Sequence, residues 1–209
     1  PAIPAPTATP IPTATPVPTA TPTPITVKTD PYLTASAKKT SITLKWSKIA
    51  GADGYRIYGS KCGKSFKLVK TIKNGNTVKW THKGLKAGTY YKYYVIGYKT
   101  VNGKPVTISR TANIHMPTKG KGLGYAKTLK LNKKKITIAK GKSAKIKATV
   151  TYTNDNLRKH VPALRYLSSD TKIATVNSKG VIKGKKKGTC TIYCYTQNGL
   201  CKKVKVKVK

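Results

Sequence analysis

Acidic residues are nearly missing from this sequence of 209 residues, and their scarcity excludes whole classes of enzyme. Glutamate does not occur, and the acids are four aspartates: Asp30, Asp53, Asp155 and Asp170. Hydrolysis of a glycosidic bond by paired carboxylates needs two such groups roughly 5 to 9.5 Å apart. Aspartates scattered one per region do not predict such a pair.

Motifs that carry other chemistries are missing too. The sequence has no Gly-rich phosphate loop, no EF-hand and no HExxH stretch, and it lacks the CxxC spacing that zinc favours. A Ser-His-Asp triad has no nucleophile motif to position it, because His82, His115 and His160 lie in unrelated segments. We therefore expect no catalytic residue, no cofactor and no metal ligand. Asp53 and Asp170 lie at predicted turns, where Asx-type hydrogen bonds are their expected role.

Cysteines number only four: Cys62, Cys190, Cys194 and Cys201. Cys190 and Cys194 share one face of a predicted strand at about 13 Å, too far for a disulfide. A bridge from Cys194 to Cys201 across the last hairpin stays open, although free thiols are favoured. No apolar run approaches the ~20 residues of a membrane span. The sequence starts at Pro1 without Met, so we expect that any signal peptide has been removed or never belonged to this segment.

Positive charge is the most abundant feature. Lysine and arginine total 43, the formal net charge is +39, and arginine contributes only Arg56, Arg110, Arg158 and Arg165. Arginine makes the bidentate contacts that read bases, whereas lysine acts as a hydrated point charge. The composition therefore predicts attraction to polyanions such as acidic polysaccharide, teichoic acid or mucin-type glycan, without specific recognition of nucleic acid. Solubility and protection of strand edges are the alternative explanation for the same lysines.

Proline is concentrated at one end. Residues 1–27 hold nine of the 13 prolines in a repeated P-T-A-T-P unit. Such a stretch cannot bury a core and favours the polyproline II conformation, with a reach of about 80 Å at roughly 3.1 Å per residue. We predict a disordered, extended Pro/Thr-rich linker over residues 1–29, typical of extracellular stalks.

Residues 30–118 alternate with the period of half-buried strands. In "SITLKW", Ile42, Leu44 and Trp46 share one face, while Thr43 and Lys45 share the other. No stretch shows a helical stripe, and Asn-Gly pairs mark hairpin turns. About seven short strands of this kind predict a β-sandwich.

Three points in this segment resemble the fibronectin type III family: Trp46, the "GADGYRIY" stretch, and "LKAGTYYKYYV". The resemblance implies structural roles for Trp46, Leu85 and Tyr91, the last two within a tyrosine corner. The loop "TVNGKP" carries no Arg-Gly-Asp, so integrin binding is not implied.

Residues 128–209 follow a predicted linker at 119–127 and alternate in the same way. The order S-S-D, A-T-V-x-S-x-G-V-I and G-T-x-T-I, which includes Gly180 and Gly188 as structural residues, closely resembles the bacterial immunoglobulin-like group 2 domain of invasin- and intimin-type surface proteins. The fold class predicted is all-β, with two tandem immunoglobulin-like β-sandwiches after the linker. The final "KKVKVKVK" is interpreted as a strand whose valines face inward.

Together these features predict a non-catalytic, monomeric segment of a secreted or cell-surface bacterial protein, extracellular and without a membrane span. A spacer or adhesion role is the first hypothesis. One alternative is a host-directed polypeptide that acts on a host receptor, since the fibronectin-like segment resembles the hormone irisin. Another is an accessory region of a larger carbohydrate-active enzyme. The candidate contacts for a glycan or partner are Tyr90, Tyr94, Lys92 and Lys99, although sheet packing also explains these tyrosines.

Overall fold

The computed structural model of the chain describes residues 28–30, 32–154 and 162–209, with the backbone alone for residues 28–30. Every regular element in these ranges is a β-strand. The all-β fold class predicted from the alternating sequence is confirmed. Most of the predicted Pro/Thr linker, residues 1–27, lies outside the described residues.

The N-terminal unit consists of two sheets that face each other across one core. Its strands are β1 (Lys28–Asp30), β2 (Leu33–Ala37), β3 (Ile42–Trp46), β4 (Gly54–Lys61), β5 (Lys67–Ile72), β6 (Lys79–His82), β7 (Tyr90–Val101), β8 (Lys104–Thr111) and β9 (Ile114–Pro117). One sheet has the order β2-β3-β6. The other runs β1-β8-β7-β4-β5, with β9 also paired to β7.

Alternation in the sequence becomes alternation in burial. Ile42, Leu44 and Trp46 of β3 are buried, whereas Thr43 and Lys45 are not. The core that they enter is rich in aromatic rings, with Tyr55 and Tyr93 fully buried. Strand β1 lies across the predicted linker boundary at residue 29 and pairs in parallel with β8. The unit has nine strands where the sequence predicts about seven, because β1 joins the sheet and the last strand is divided into β8 and β9.

The C-terminal unit is divided into three sheets. Its strands are β10 (Ala126–Leu131), β11 (Lys135–Ile138), β12 (Ser143–Lys145), β13 (Ala148–Tyr152), β14 (Leu164–Ser168), β15 (Ala174–Val176), β16 (Val181–Gly184), β17 (Gly188–Thr196) and β18 (Cys201–Val208). The sheets have the orders β11-β18-β17-β14, β12-β16-β15 and β10-β13. Its core is aliphatic, built mainly from isoleucine and valine with one cysteine.

The last strand has the predicted orientation. Val204, Val206 and Val208 are buried to 0%, 0% and 1% exposure, and the lysines between them are exposed. Strand β18 lies between β17, its antiparallel neighbour, and β11, its parallel neighbour. The basic run is therefore an inner strand of a sheet.

The turn between β17 and β18 docks on the N-terminal unit. The amide of His115 donates to the carbonyl of Gln197 at 2.7 Å, and the amide of Ala35 donates to that of Asn198 at 3.3 Å. The Asn198 side chain, 3% exposed, donates to the carbonyl of Ala126 at 3.0 Å. A buried polar group that loses its hydrogen-bond partner costs free energy of folding, so these bonds hold the turn in one position. The two units therefore share a hydrogen-bonded junction.

Candidate ligand-binding surfaces

An aromatic cluster covers the outer face of the larger N-terminal sheet. The rings of Tyr58 and Tyr94, opposite each other on β4 and β7, stack at 4.9 Å with 8° between their planes. Phe66 meets Tyr94 edge-on at 4.7 Å. The Arg110 guanidinium lies 4.1 Å from the Tyr94 ring centroid, and Lys92 Nζ lies 4.3 Å from that of Phe66.

These contacts limit what the cluster can bind. Because β4 and β8 flank β7 on opposite sides, Tyr58 and Arg110 cover the two faces of the Tyr94 ring. A pyranose ring that stacks on an aromatic needs one of those faces. The arrangement favours sheet packing and cation–π contact as the role of Tyr94.

Of the other predicted contact residues, Lys92 belongs to this cluster, whereas Tyr90 and Lys99 lie apart from it. Tyr90 was expected to face outward with Tyr94, but its side chain is 4% exposed and its hydroxyl donates to the carbonyl of Gly124. That expectation is corrected: the segment after β9 covers Tyr90. Lys99 is exposed five residues beyond Tyr94, about 17 Å along the strand. A role for Lys92 and Lys99 in binding stays a prediction.

The residues predicted to be structural make the following contacts. Trp46 packs against Tyr55 at 5.3 Å, Leu85 is 7% exposed, and the Tyr91 hydroxyl accepts a 3.0 Å bond from the Lys86 amide. Gly188 begins β17. Gly180 has φ of +74°, and a Cβ there would meet the Tyr166 ring at 2.9 Å, so both backbone and space favour glycine.

A second surface combines charge with concavity. A groove of about 880 Å³ opens where Tyr32 of the N-terminal unit approaches the outer face of β17 and β18. Leu129 and Leu131 contribute apolar surface, and seven lysines line it: Lys130, Lys133, Lys134, Lys135, Lys202, Lys203 and Lys205. We call it the lysine groove. No carboxylate is among its described lining residues.

The sequence did not predict the lysine groove, although both lysine-rich stretches that form it can be recognised in the sequence. The run at 133–135 and the alternating lysines at 202–207 can be read from the sequence. Their meeting depends on the parallel pairing of β11 with β18, which sets Lys135 beside Lys205. Tyr32 arrives through the junction, where its ring meets that of Tyr193 edge-on at 5.6 Å.

Among the described residues, two thiols are buried in the Ig-like core region and a third lies beside an imidazole. None of the four cysteines is joined in a disulfide, so the bridge from Cys194 to Cys201 is not formed. Burial raises the pKa of Cys194 to about 11 and also raises the pKa of Cys190, so both remain protonated thiols at neutral pH. Cys62 Sγ lies 3.3 Å from Nδ1 of His115, a ring that is 7% exposed. His160 lies outside the described residues.

The two aspartates whose side chains are described cap backbone amides. Asp170 Oδ1 accepts from the Lys172 amide at 2.8 Å, which is the predicted Asx turn. Asp53 Oδ2 accepts from the distant Thr100 amide at 2.6 Å, so it ties β4 to β7. Among the described residues, no group of three or more His, Cys, Asp or Glu side chains could hold a metal ion. The same residues include no helix of the length and apolarity that a membrane crossing requires.

Comparison with known families identifies the C-terminal unit. Residues 125–208 match the model of the bacterial Ig-like domain (group 2). This stretch is a bacterial Ig-like domain. The match extends from the segment just before β10 to the end of β18, so the lysines of the groove all belong to the Ig-like domain.

Two further likenesses concern parts of the chain. A kappa-carrageenase of Pseudoalteromonas carrageenovora is 39% identical over 71 residues, which are 34% of this chain and 17% of that protein. The chain thus spans about a sixth of the length of this curated relative. A solved myokine structure, 13% identical, aligns over 46% of this chain and 100% of its own length with a TM-score of 0.37.

Proposed function

We propose that the chain is a non-catalytic segment of a secreted or cell-surface bacterial protein, a spacer and adhesion module that holds anionic polymers. The supporting observation is the placement of charge. The lysines between the buried valines of β18 face solvent, and 43 basic residues stand against 4 acids. Such an excess produces a long-range positive field. Bacterial Ig-like domains are common in surface proteins, which supports an extracellular location.

The architecture supports the spacer part of the proposal. In the N-terminal unit, sheets β2-β3-β6 and β8-β7-β4-β5, with the bond from the Lys86 amide to Tyr91, are the features a fibronectin type III domain would have. We therefore propose that residues 30–118 are such a domain and that residues 119–127 link it to the Ig-like domain. The hydrogen-bonded junction makes the pair a stiff extension, which the Pro/Thr linker would carry outward.

Retention on immobilised polymers at different salt concentrations tests the proposal. Purified chain is applied to teichoic acid, pectin, mucin, heparin and DNA, then eluted with NaCl. We expect retention at about 50 mM NaCl and steep loss at higher salt, because each neutralised anion releases a counterion. Passage through every anionic column at low salt contradicts the proposal. Saturable binding to host cells that resists salt would instead favour the receptor alternative.

A second candidate function is the accessory region of a larger carbohydrate-active enzyme. The observation in its favour is the 39% identity to a kappa-carrageenase, a protein named for action on kappa-carrageenan. Retention on kappa-carrageenan but not on neutral agarose, together with a catalytic domain in the same reading frame, would support it. A reading frame without a catalytic domain would contradict it.

A further inference from the structure

We infer that the lysine groove is a binding site for a short run of an anionic polysaccharide, one that carries carboxylate or sulfate groups. The inference rests on the proposed function and gives it a location. The diffuse field of the whole chain attracts polyanions anywhere on the surface. The groove concentrates seven lysines around one concavity of about 880 Å³, which lies within the size range of ligand sites.

One wall of the groove is held in place by the backbone. Asn132, which precedes the lysine run, donates its amide to the carbonyl of Lys147 at 3.0 Å and accepts from the Lys147 amide through its side chain at 3.0 Å. The Lys205 amide donates to the carbonyl of Lys134 at 2.9 Å. The residue before the run and the middle of the run are therefore anchored, which lowers the ordering cost that a ligand would meet.

The opposite wall repeats along the strand. Lys203 and Lys205 lie on one face of β18, about 7 Å apart at the rise of a β-strand. Lys205 pairs with Lys135 on β11, roughly 4.8 Å away between neighbouring strands. Lysines placed at the regular backbone spacing of neighbouring strands suit a linear chain with repeating anions better than a single anion.

Like charges so close together repel each other, and none of the described lining residues carries a carboxylate to offset them. Such a cluster destabilises the empty domain, and a bound anion relieves the repulsion. Removal of groove lysines should therefore leave the free protein as stable or make it more stable, while binding is lost. Residues that only support the fold would show the opposite pattern.

The chemistry of the groove favours acidic sugars over nucleic acid. All seven cations are lysines, and the bidentate fork with which arginine reads bases is missing among them. Tyr32 offers apolar contact to the faces of sugar rings, as aromatic side chains do in sugar-binding modules, and Leu131 adds aliphatic surface. Specific DNA interfaces bury roughly 1,000 to 2,500 Å² of protein surface, a broader contact than a groove of this size supplies.

Two matched variants of the full chain test the inference. The groove variant carries Lys133→Gln, Lys135→Gln, Lys203→Gln and Lys205→Gln. The control variant carries Lys179→Gln, Lys183→Gln, Lys186→Gln and Lys187→Gln, four exposed lysines of the same domain that do not line the groove. Both lose four charges, so the overall field falls equally. Calorimetric titration uses a short heparin oligosaccharide, an oligogalacturonate that carries carboxylates alone, and duplex DNA.

The expected result is selective loss in the groove variant. The slope of log K against log[NaCl] for the groove variant should be smaller in magnitude by about 3, at roughly 0.7 per lost contact. The slope of the control variant should stay near that of the parent chain. The melting temperature of the groove variant should equal or exceed that of the parent chain. Equal losses in both variants would overturn the groove and leave the diffuse field intact. Tighter binding of DNA than of both oligosaccharides would overturn the ligand class. Failure of the parent chain to bind any of the three would overturn the groove together with the proposed function.

Discussion

The two units of the molecule solve the same packing problem with different side chains. In the N-terminal unit, large aromatic residues such as Trp46, Tyr55 and Tyr93 occupy the space between the sheets. The Ig-like domain fills the equivalent space with isoleucine and valine. The first core thus contains polar atoms that require partners, whereas the second depends on volume and shape.

Hydrogen bonds to the buried tyrosines show what this difference means. The Tyr55 hydroxyl donates to the carbonyl of Gly75 at 3.0 Å and accepts from the Ile49 amide at 3.2 Å. The Tyr93 hydroxyl lies 3.0 Å from Nδ1 of His82. Each ring therefore ties its strand to a loop or to the facing sheet. We expect the N-terminal core to be sensitive to loss of single polar atoms and the Ig-like core to loss of volume.

The largest effect is expected from a cavity in the Ig-like core. Ile182 is fully buried, so Ile182→Ala should lower the free energy of unfolding by about 2 to 5 kcal/mol, against about 0.5 to 1.5 kcal/mol for Ile182→Val. Thiol labelling of the buried Cys190 and Cys194 during urea unfolding reports on this domain. Fluorescence of Trp46 and Trp80, the two tryptophans of the chain, reports on the other unit. An equal cost for both substitutions would contradict a core governed by volume.

The next effect concerns the junction between the units. Gly199 has φ of +90°, and a Cβ there would lie 1.9 Å from the carbonyl oxygen of Leu33, so Gly199→Ala should force the turn away from β2. We expect the urea midpoint measured by thiol labelling to separate from the midpoint measured by tryptophan fluorescence. We also expect the distance distribution from small-angle X-ray scattering to broaden. Gly141→Ala is the matched control, since its φ is +78° with no neighbour within 4 Å. The Gly141→Ala variant should therefore pay only the strain of a left-handed backbone, about 1 to 2 kcal/mol. If both variants behave alike, the junction does not couple the units.

A smaller effect is expected from a single oxygen in the aromatic core. Tyr55→Phe keeps the ring but leaves the Gly75 carbonyl and the Ile49 amide without their partner. The expected cost is about 1 to 3 kcal/mol, measured by tryptophan fluorescence in urea. Tyr98→Phe is the control, because the Tyr98 hydroxyl makes a longer bond of 3.4 Å to the carbonyl of Ile72. A Tyr55→Phe cost no greater than the control would remove the distinction between the cores.

The smallest effect is a dependence on pH confined to the N-terminal unit. Burial lowers the pKa of His82 below its ordinary 6.5, so below pH 6.5 the unfolded chain takes up a proton before the folded chain does. Stability from this group is complete above pH 6.5 and falls as the pH drops toward the lower folded value. The urea midpoint reported by fluorescence should therefore decline from pH 7.5 to 5.5, and less so in His82→Gln. Equal decline in both proteins would exclude His82 as the source.

Much of the fold follows from local pattern. Alternation predicts the buried residues of β3 and the inward valines of β18, because each strand exposes one face to a core. The aromatic cluster and Tyr90 show where local pattern is insufficient. Alternation sets Tyr90 facing away from the core, and only the distant segment around Gly124 determines that it is covered.

The lysine groove could not be predicted for the same reason. Lys133–Lys135 and Lys202–Lys205 are about 70 residues apart in the sequence, and a parallel pairing between β11 and β18 brings them together. Net charge predicts attraction to polyanions but contains no information on where cations converge. The place where cations converge depends on the register between paired strands. A shift of the pairing by two residues leaves the same side chains facing the core, so the alternating pattern does not determine the register.

Chemical-shift mapping with an oligogalacturonate tests most directly the claim that this protein binds anionic polysaccharide in the lysine groove. Backbone amides of the full chain are followed by NMR while the oligosaccharide is added at moderate salt. The account predicts saturable shifts at Lys133, Lys135, Lys203 and Lys205, with the aromatic cluster around Tyr94 unchanged. Small shifts spread evenly over the lysines of both units, without saturation, would contradict it.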